Sequence, residues 1–244
     1  MDFIVLMTTE FFKMKIENRN ITDVFFDLDH TLWDFEKNSS LAFETVFEKQ
    51  NIPIKISDFL SYYVPINLKY WEMYRKDEIN QKELRFGRLK ETFDLLDYPI
   101  DDATIVFLSE QYIHYLPKYN HLFDGAIPIL DYLKSKYSLH IITNGFAEIQ
   151  ENKLNNSYIT SYFKTITNSE MAGFKKPSRN IFEYALDLAK TKKESSIMIG
   201  DCLEADVQGA LDAGLDAIFF NESNTPVSQN IKQVNHLSEL KKYL

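Results

Sequence analysis

Three short apolar runs set the terms for the second half of the chain: Leu139-His140-Ile141-Ile142, Ser196-Ile197-Met198-Ile199 and Ala217-Ile218-Phe219-Phe220. Segments of helical spacing separate them, near residues 124–136, 147–155, 178–189 and 204–213. Short apolar runs without polar alternation are strands buried on both faces, and strands that alternate with helices build a parallel sheet covered on each side. A fourth run of this kind, Ile21-Thr22-Asp23-Val24-Phe25-Phe26, stands far upstream. Between it and the others the pattern is helical from Ser39 to Lys118, with amphipathic stretches over residues 41–48, 67–75 and 81–96. Only Gly87 of the seven glycines falls in that half. Ser57-Asp58 and Asp101-Asp102 read as helix N-caps. The expected fold class is α/β: a doubly wound parallel sheet made by residues 1–37 and 119–244, with an inserted all-helical domain over 38–118 that is long enough for its own core.

Charge and cysteine usage narrow the function. Lys plus Arg is 27 and Asp plus Glu is 36, a formal net charge of −9 and a pI near 5.1. Such a chain gains nothing from the field of a polyanion, so a nucleic-acid partner is not expected and an anionic ligand needs a local site. The single cysteine, Cys202, excludes an intrachain disulfide and suits a reducing compartment. No apolar run approaches the ~20 residues that span a bilayer. The apolar start Phe3-Ile4-Val5-Leu6-Met7 is short for a signal core and lacks a basic flank. Met14 is an equally good start, and residues 1–19 carry no evident role. The expectation is a cytoplasmic protein with no membrane partner.

Four pieces carry chemistry, each at or near a strand end. Asp27-Leu28-Asp29-His30-Thr31 follows the first strand. At a turning strand tip, residues two apart can face one mouth, so one carboxylate can act as nucleophile and the other as proton donor. Thr143-Asn144-Gly145 offers a hydroxyl, an amide side chain and backbone N–H groups at a helix start, the donors a phosphoryl oxygen needs. Lys175-Lys176-Pro177 adds a cation, and Gly200-Asp201-Cys202-Leu203-Glu204-Ala205-Asp206 adds carboxylates at another strand end. Ligands of parallel sheets bind beyond the carboxyl ends of the strands. Any one piece reads equally as a capped turn, since Asp and Gly crowd ordinary turns. Four in this order, each tied to an apolar run, do not. Acidic oxygens in this number fit Mg²⁺ better than zinc. The histidines His30, His114, His121, His140 and His236 form no ligand spacing, and no histidine motif accompanies Cys202 to make it a nucleophile.

This ordered set resembles the haloacid dehalogenase superfamily of phosphohydrolases over most of the chain, from Asp23 to about Phe220. The family's DxDxT pattern matches Asp27, Asp29 and Thr31; its second-motif hydroxyl matches Thr143; its lysine before proline matches Lys176, with Lys175 the weaker match; its GDxxxxD matches Gly200, Asp201 and Asp206. The resemblance implies a Rossmann-like core with the insertion as a helical cap. It implies phosphate monoester hydrolysis with Asp27 as nucleophile and Asp29 as acid and base. Thr143, Asn144, Gly145 and Lys176 would bind phosphate. Mg²⁺ would sit on the carboxylates of Asp27 and Asp201 and the backbone carbonyl of Asp29, with Asp206 behind them. Asp29 stands where dehalogenases lack an acid, which favours phosphate chemistry over C–halogen cleavage. The string Trp33-Asp34-Phe35 and the cap residues Asn67, Trp71, Arg85 and Phe86 are similar to pyrimidine 5′-nucleotidases of the superfamily. Phosphatases of sugar phosphates, phosphoglycolate or acylneuraminate phosphate are the alternative, and a non-catalytic phosphoacceptor is a third reading. The implied partner is a small phosphate monoester, and the implied state is monomer or homodimer. Two features depart from the family's habit: His30, where relatives carry Gly, Asp or Asn, and Glu204 in the fourth motif. Tyr62, Tyr63, Tyr70, Trp71 and Tyr74 are expected in the core of the cap, and Arg85 in a salt bridge within it.

Overall fold

The computed structural model describes residues 19–228 and 230–244; the apolar start and Met14 lie outside them. The chain enters through β1 (Asp23–Phe26) and then runs through four helices: α1 (Phe35–Gln50), α2 (Ile56–Arg75), α3 (Gln81–Leu95) and α4 (Asp102–Tyr115). It returns to alternate α5 (Ala126–Lys134), β2 (Ser138–Thr143), α6 (Ala147–Asn156), β3 (Phe163–Asn168), the short α7 (Ser169–Ala172), α8 (Arg179–Ala189) and β4 (Ser196–Gly200). A π-helical turn (Leu203–Gln208), α9 (Gly209–Ala213), β5 (Asp216–Phe220) and β6 (Gln233–Val234) complete it. All pairings are parallel, in the order β3-β2-β1-β4-β5-β6.

β1 sits in the middle of the sheet, with Asp23 opposite both Ser138 and Ser196. Successive side chains of a strand point to opposite faces, and the core divides accordingly. Val24 and Phe26 pack with Ile129, Leu133 and Leu154 of α5 and α6, whereas Phe25 packs with Ile181, Phe182 and Ala210 of α8 and α9. His140, a polar residue inside β2, is satisfied by Asp23 at 3.1 Å and Thr165 at 2.8 Å and stacks on Phe25. β3 and β6 were not expected. β3 is an edge strand of mixed polarity, Phe-Lys-Thr-Ile-Thr-Asn, and its first four residues are only partly covered or exposed, so it carries no apolar run.

The inserted helices build an aromatic core. Phe43 stacks on Tyr112 with centroids 4.1 Å apart and meets Tyr63 edge-on at 4.6 Å, and Phe59 lies against both Phe43 and Phe47. Some sequence expectations shift here. α1 begins at Phe35, capped by Asp34, earlier than Ser39. Asp101 caps α4 by accepting from the Thr104 N–H at 2.8 Å, but Ser57 and Asp58 lie inside the first turn of α2, whose N-cap is Lys55. Tyr63 and Tyr74 are buried, while Tyr62 is 41% exposed and so is not a core residue.

Candidate active site

The carboxyl ends of β1, β2 and β4, with the loop between α7 and α8 that carries Lys176, bring most of the predicted residues to one cavity of about 650 Å³, roofed by α2; Arg85 and Phe86 do not border it. Its lining includes Asp27, Asp29, Thr143, Asn144, Gly145, Lys176, Asp201 and Asp206 from the sheet side, and Asn67, Trp71 and Arg75 from α2.

Asp27, directly after β1, is buried together with Lys176. The Lys176 ammonium lies 2.6 Å from Asp27 Oδ1 and 2.6 Å from Asp206 Oδ1, and donates to the Ile142 carbonyl at 2.8 Å. Asp206 Oδ2 accepts from the Cys202 N–H at 3.0 Å. Gly200 makes that approach possible: a Cβ there would stand 2.3 Å from the Asp206 carboxylate. Thr31 donates to Asp201 Oδ1 at 3.1 Å and so orients it. The carboxylates of Asp27, Asp201 and Asp206 bring one oxygen each within 4.8 Å of one another. Asp206 thus lies beside Asp27 and Asp201 with one oxygen on Lys176 and the other on the Cys202 N–H, a place compatible with the supporting position behind the metal.

This crowding shows in the electrostatics. Burial lifts Asp27 well above the usual carboxylate range; the Lys176 charge works against that lift, and Asp206 and Asp201 reinforce it. Burial, then Asp206, pushes Asp201 up to about 7. Burial also disfavours charge on Lys176, but Asp206 and Asp27 outweigh it and hold the ammonium above its ordinary range. A hard divalent cation fits this donor set, because it would relieve the repulsion that holds both aspartates high.

The second motif is arranged differently from the simplest reading. The Asn144 side-chain amide donates to the Lys176 carbonyl at 3.0 Å and accepts from the Lys176 N–H at 2.7 Å, so it fixes the lysine loop, and any phosphate contact of Asn144, which borders the cavity, falls to its backbone. The Gly145 N–H, expected to be free, donates to Thr143 Oγ1 at 3.1 Å, and Gln150 Nε2 donates to the same oxygen at 2.7 Å. A hydroxyl has two acceptor sites and one proton. With both acceptor sites used, the Thr143 proton remains for an anion in the cavity.

Sequence reasoning missed Gln150 and Lys153. Both are buried residues of α6, and both reach Asp29: Lys153 Nζ lies 2.5 Å from Oδ1 and Gln150 Nε2 lies 3.0 Å from Oδ2. Their signal was available, because they fall on the same helical stripe as Ile149 and Leu154, where apolar residues belong. His30 takes a left-handed backbone, φ 61°, and packs on Phe35 at 4.8 Å. That conformation favours Gly, Asn or Asp, which accounts for the family's habit there. Glu204 is exposed and does not border the cavity.

Contacts between the inserted helices and the loops of the sheet lie beside the cavity. Trp71 and Tyr74 pack on Phe146 at 5.5 and 5.6 Å. Lys175 donates to the Tyr74 carbonyl at 2.7 Å and pairs with Asp77, which gives this weaker phosphate candidate a tethering place. Arg85 makes no salt bridge among the described residues; its guanidinium lies 4.8 Å from the Phe146 ring, away from the main cavity. Asn67 is buried, and its Oδ1 accepts from Arg88 Nη1 at 2.8 Å. An arginine only donates, so the Asn67 N–H₂ is left for whatever enters the cavity.

A parallel sheet whose strand ends gather three aspartates, a buried lysine and an oriented hydroxyl under a helical roof defines a hydrolase of the phosphoryl-transfer kind. The chain belongs to the haloacid dehalogenase-like hydrolases, whose family model matches residues 24–220, and it is a phosphohydrolase of that superfamily. It is 33% identical over 198 residues to the pyrimidine 5′-nucleotidase PynA of Streptococcus pneumoniae, covering 80% of this chain and 82% of that one. The pyrimidine 5′-nucleotidase YjjG of Escherichia coli is 28% identical over 91% of this chain and 96% of its own. YfnB of Bacillus subtilis, named as a HAD-hydrolase, is 31% identical over 89% of this chain and 90% of its own. The magnesium-bound crystal structure of YfnB superposes with a TM-score of 0.84, covering 92% of this chain and 99% of that one. No helix among the described residues is long and apolar enough to cross a membrane.

Proposed function

We propose that the protein is a Mg²⁺-dependent 5′-nucleotidase acting on ribo- and deoxyribonucleoside monophosphates with pyrimidine bases. The observation that carries this reading is a single cavity lined by the acidic cluster and Lys176 together with Trp71 and Asn67. The likeness to PynA and YjjG supports it from a separate direction. An aromatic face and a fixed amide donor suit a small base that presents carbonyl acceptors, and a closing cap can reject a larger base by overlap.

Residues of the chain divide the work. A carboxylate oxygen of Asp27 attacks phosphorus in line, and the bond to the leaving alkoxide breaks as Asp29 supplies its proton. Water then attacks the aspartyl-phosphate and gives a proton to Asp29; the P–O bond to Asp27 breaks and releases inorganic phosphate. Lys176 and the Thr143 hydroxyl hold phosphoryl oxygens in place throughout, which is the main catalytic resource in phosphoryl transfer. The carboxylates of Asp27 and Asp201 and the backbone carbonyl of Asp29 would hold the cation. When bound, Mg²⁺ supplies charge neutralisation where the phosphoryl group and the aspartates meet.

The test is kcat/KM with Mg²⁺ for UMP, dUMP, dTMP, AMP, GMP, phosphoglycolate and several sugar phosphates, with Asp27→Asn as the inactive control. Pyrimidine nucleotides should lead. A sugar phosphate or phosphoglycolate preferred by about tenfold, roughly 1.4 kcal/mol of transition-state binding, overturns the nucleotidase assignment. An active Asp27→Asn protein overturns the covalent route.

A further inference from the structure

Asp29 changes role within one turnover of the proposed reaction, and its carboxylate borders the cavity with a side chain 21% exposed. Neither of its oxygens is left to move freely. Lys153 Nζ holds Oδ1 at 2.5 Å and Gln150 Nε2 holds Oδ2 at 3.0 Å, from positions three apart on one face of α6. Neither Lys153 nor Gln150 borders the cavity.

Lys153 is costly to keep where it is. It is 2% exposed, and its ammonium lies 4.3 Å from the centroid of Trp33 and 5.2 Å from that of Phe35. Taking an ammonium out of water costs several kcal/mol, which a single pair seldom repays, and well-packed apolar residues of similar volume often serve stability as well or better. An apolar residue at 153 would continue the stripe of Ile149 and Leu154. The two rings return part of that cost as cation–π attraction, and the direct ionic partner of the ammonium is the acid–base residue.

We propose that Lys153 is a positioning residue for Asp29: with Gln150 it fixes the orientation of that carboxylate at the cavity wall, so that the same oxygens serve the leaving group and then the attacking water, while Lys153 itself never touches the substrate. This rests on the phosphatase reading above. It assigns Lys153 a task unlike that of Lys176, which meets the phosphoryl group directly.

A double-mutant cycle tests it. Wild type, Lys153→Met, Asp29→Asn and the double variant are assayed with Mg²⁺ on an aryl phosphate, whose leaving group needs little protonation, and on UMP, whose leaving alkoxide needs much. General acid–base catalysis contributes about 10²–10⁴-fold. Lys153→Met should therefore lower kcat for UMP by about tenfold or more, with KM moved less than about twofold and a smaller loss on the aryl ester. In the Asp29→Asn background it should add nothing, and Lys153→Arg should return the leaving-group dependence toward wild type. Thermal melts accompany each variant, and if Lys153→Met does not fold, Lys153→Gln takes its place in the cycle. Equal fold-losses with and without Asp29, or equal losses in the rate of phosphoenzyme formation from both esters, overturn the proposal in favour of plain packing. A wild-type protein inactive on every ester overturns the phosphatase reading and this inference with it.

Discussion

Replacing Lys176 by methionine keeps a side chain of similar length and removes the ammonium that stands 2.6 Å from both Asp27 and Asp206. Deleting one member of a buried ion pair costs on the order of 3–5 kcal/mol, because the partner is stranded in a medium that cannot solvate it. The stranded carboxylates have one escape, which is to take up a proton. Asp27 is already held above its ordinary value of 3.8, and Asp201 stands at about 7. A carboxyl raised in the folded state binds protons more readily there than in the unfolded chain. Its contribution to stability is complete below 3.8 and drains away as pH rises through the folded value. Loss of the Lys176 charge lifts Asp27 further, so the variant's deficit should be smaller at acid pH, where the stranded carboxylates are protonated, and should grow as pH rises. For a chain of this size each kcal/mol moves the melting temperature by about 2–4 °C. In a chelator at about pH 8, Lys176→Met should thus melt about 6–20 °C below wild type by far-UV circular dichroism, with the gap narrowing at about pH 5. A gap under about 2 °C at the higher pH, or one indifferent to pH, would refute the reasoning.

Mg²⁺ and protons compete for Asp27 and Asp201, so the rise in melting temperature on adding Mg²⁺ should be larger at about pH 8 than at about pH 6; a pH-independent rise would count against the acidic cluster as the metal site. Asn67→Leu removes the donor that faces the cavity and strands Arg88, at a stability cost of about 1–3 kcal/mol. It should lower kcat/KM for UMP by about tenfold while an aryl phosphate changes less than about twofold, and equal losses on both would remove Asn67 from base recognition.

The parts of the molecule that were legible in the sequence are those where one physical demand dominates. β1, β2, β4 and β5 are buried on both faces and had to be apolar runs, and the acidic tips that follow them could be read as one site. β3 escaped because a half-exposed edge strand need not be apolar. A sequence shows which groups exist but not how they are used: the Asn144 side-chain amide serves the Lys176 backbone and the Gly145 N–H serves Thr143, which leaves the Asn144 backbone as the donor to test. Lys153 escaped because a lysine on a helix reads as solvated unless its place on the buried stripe is given more weight than its charge. Arg85 was assigned an ionic partner on the general habit of buried arginines and found an aromatic face instead.

The position of β1 has a consequence for how the molecule comes into being. As the chain leaves the ribosome, β1 emerges before its neighbours and stays unpaired until Ser138 and then Ser196 have been made. The contacts that close the aromatic core of the helices between span less of the sequence than either pairing of β1. Long-range strand pairing carries a loop-closure cost that local helix packing does not. Asp27 and Thr31 are therefore synthesised early and stay without Lys176, Asp201 and Asp206 until late in synthesis, when α8, β4 and the π-helical turn arrive. A nascent chain stalled before β4 would lack Asp201 and Asp206, so that its site does not yet exist.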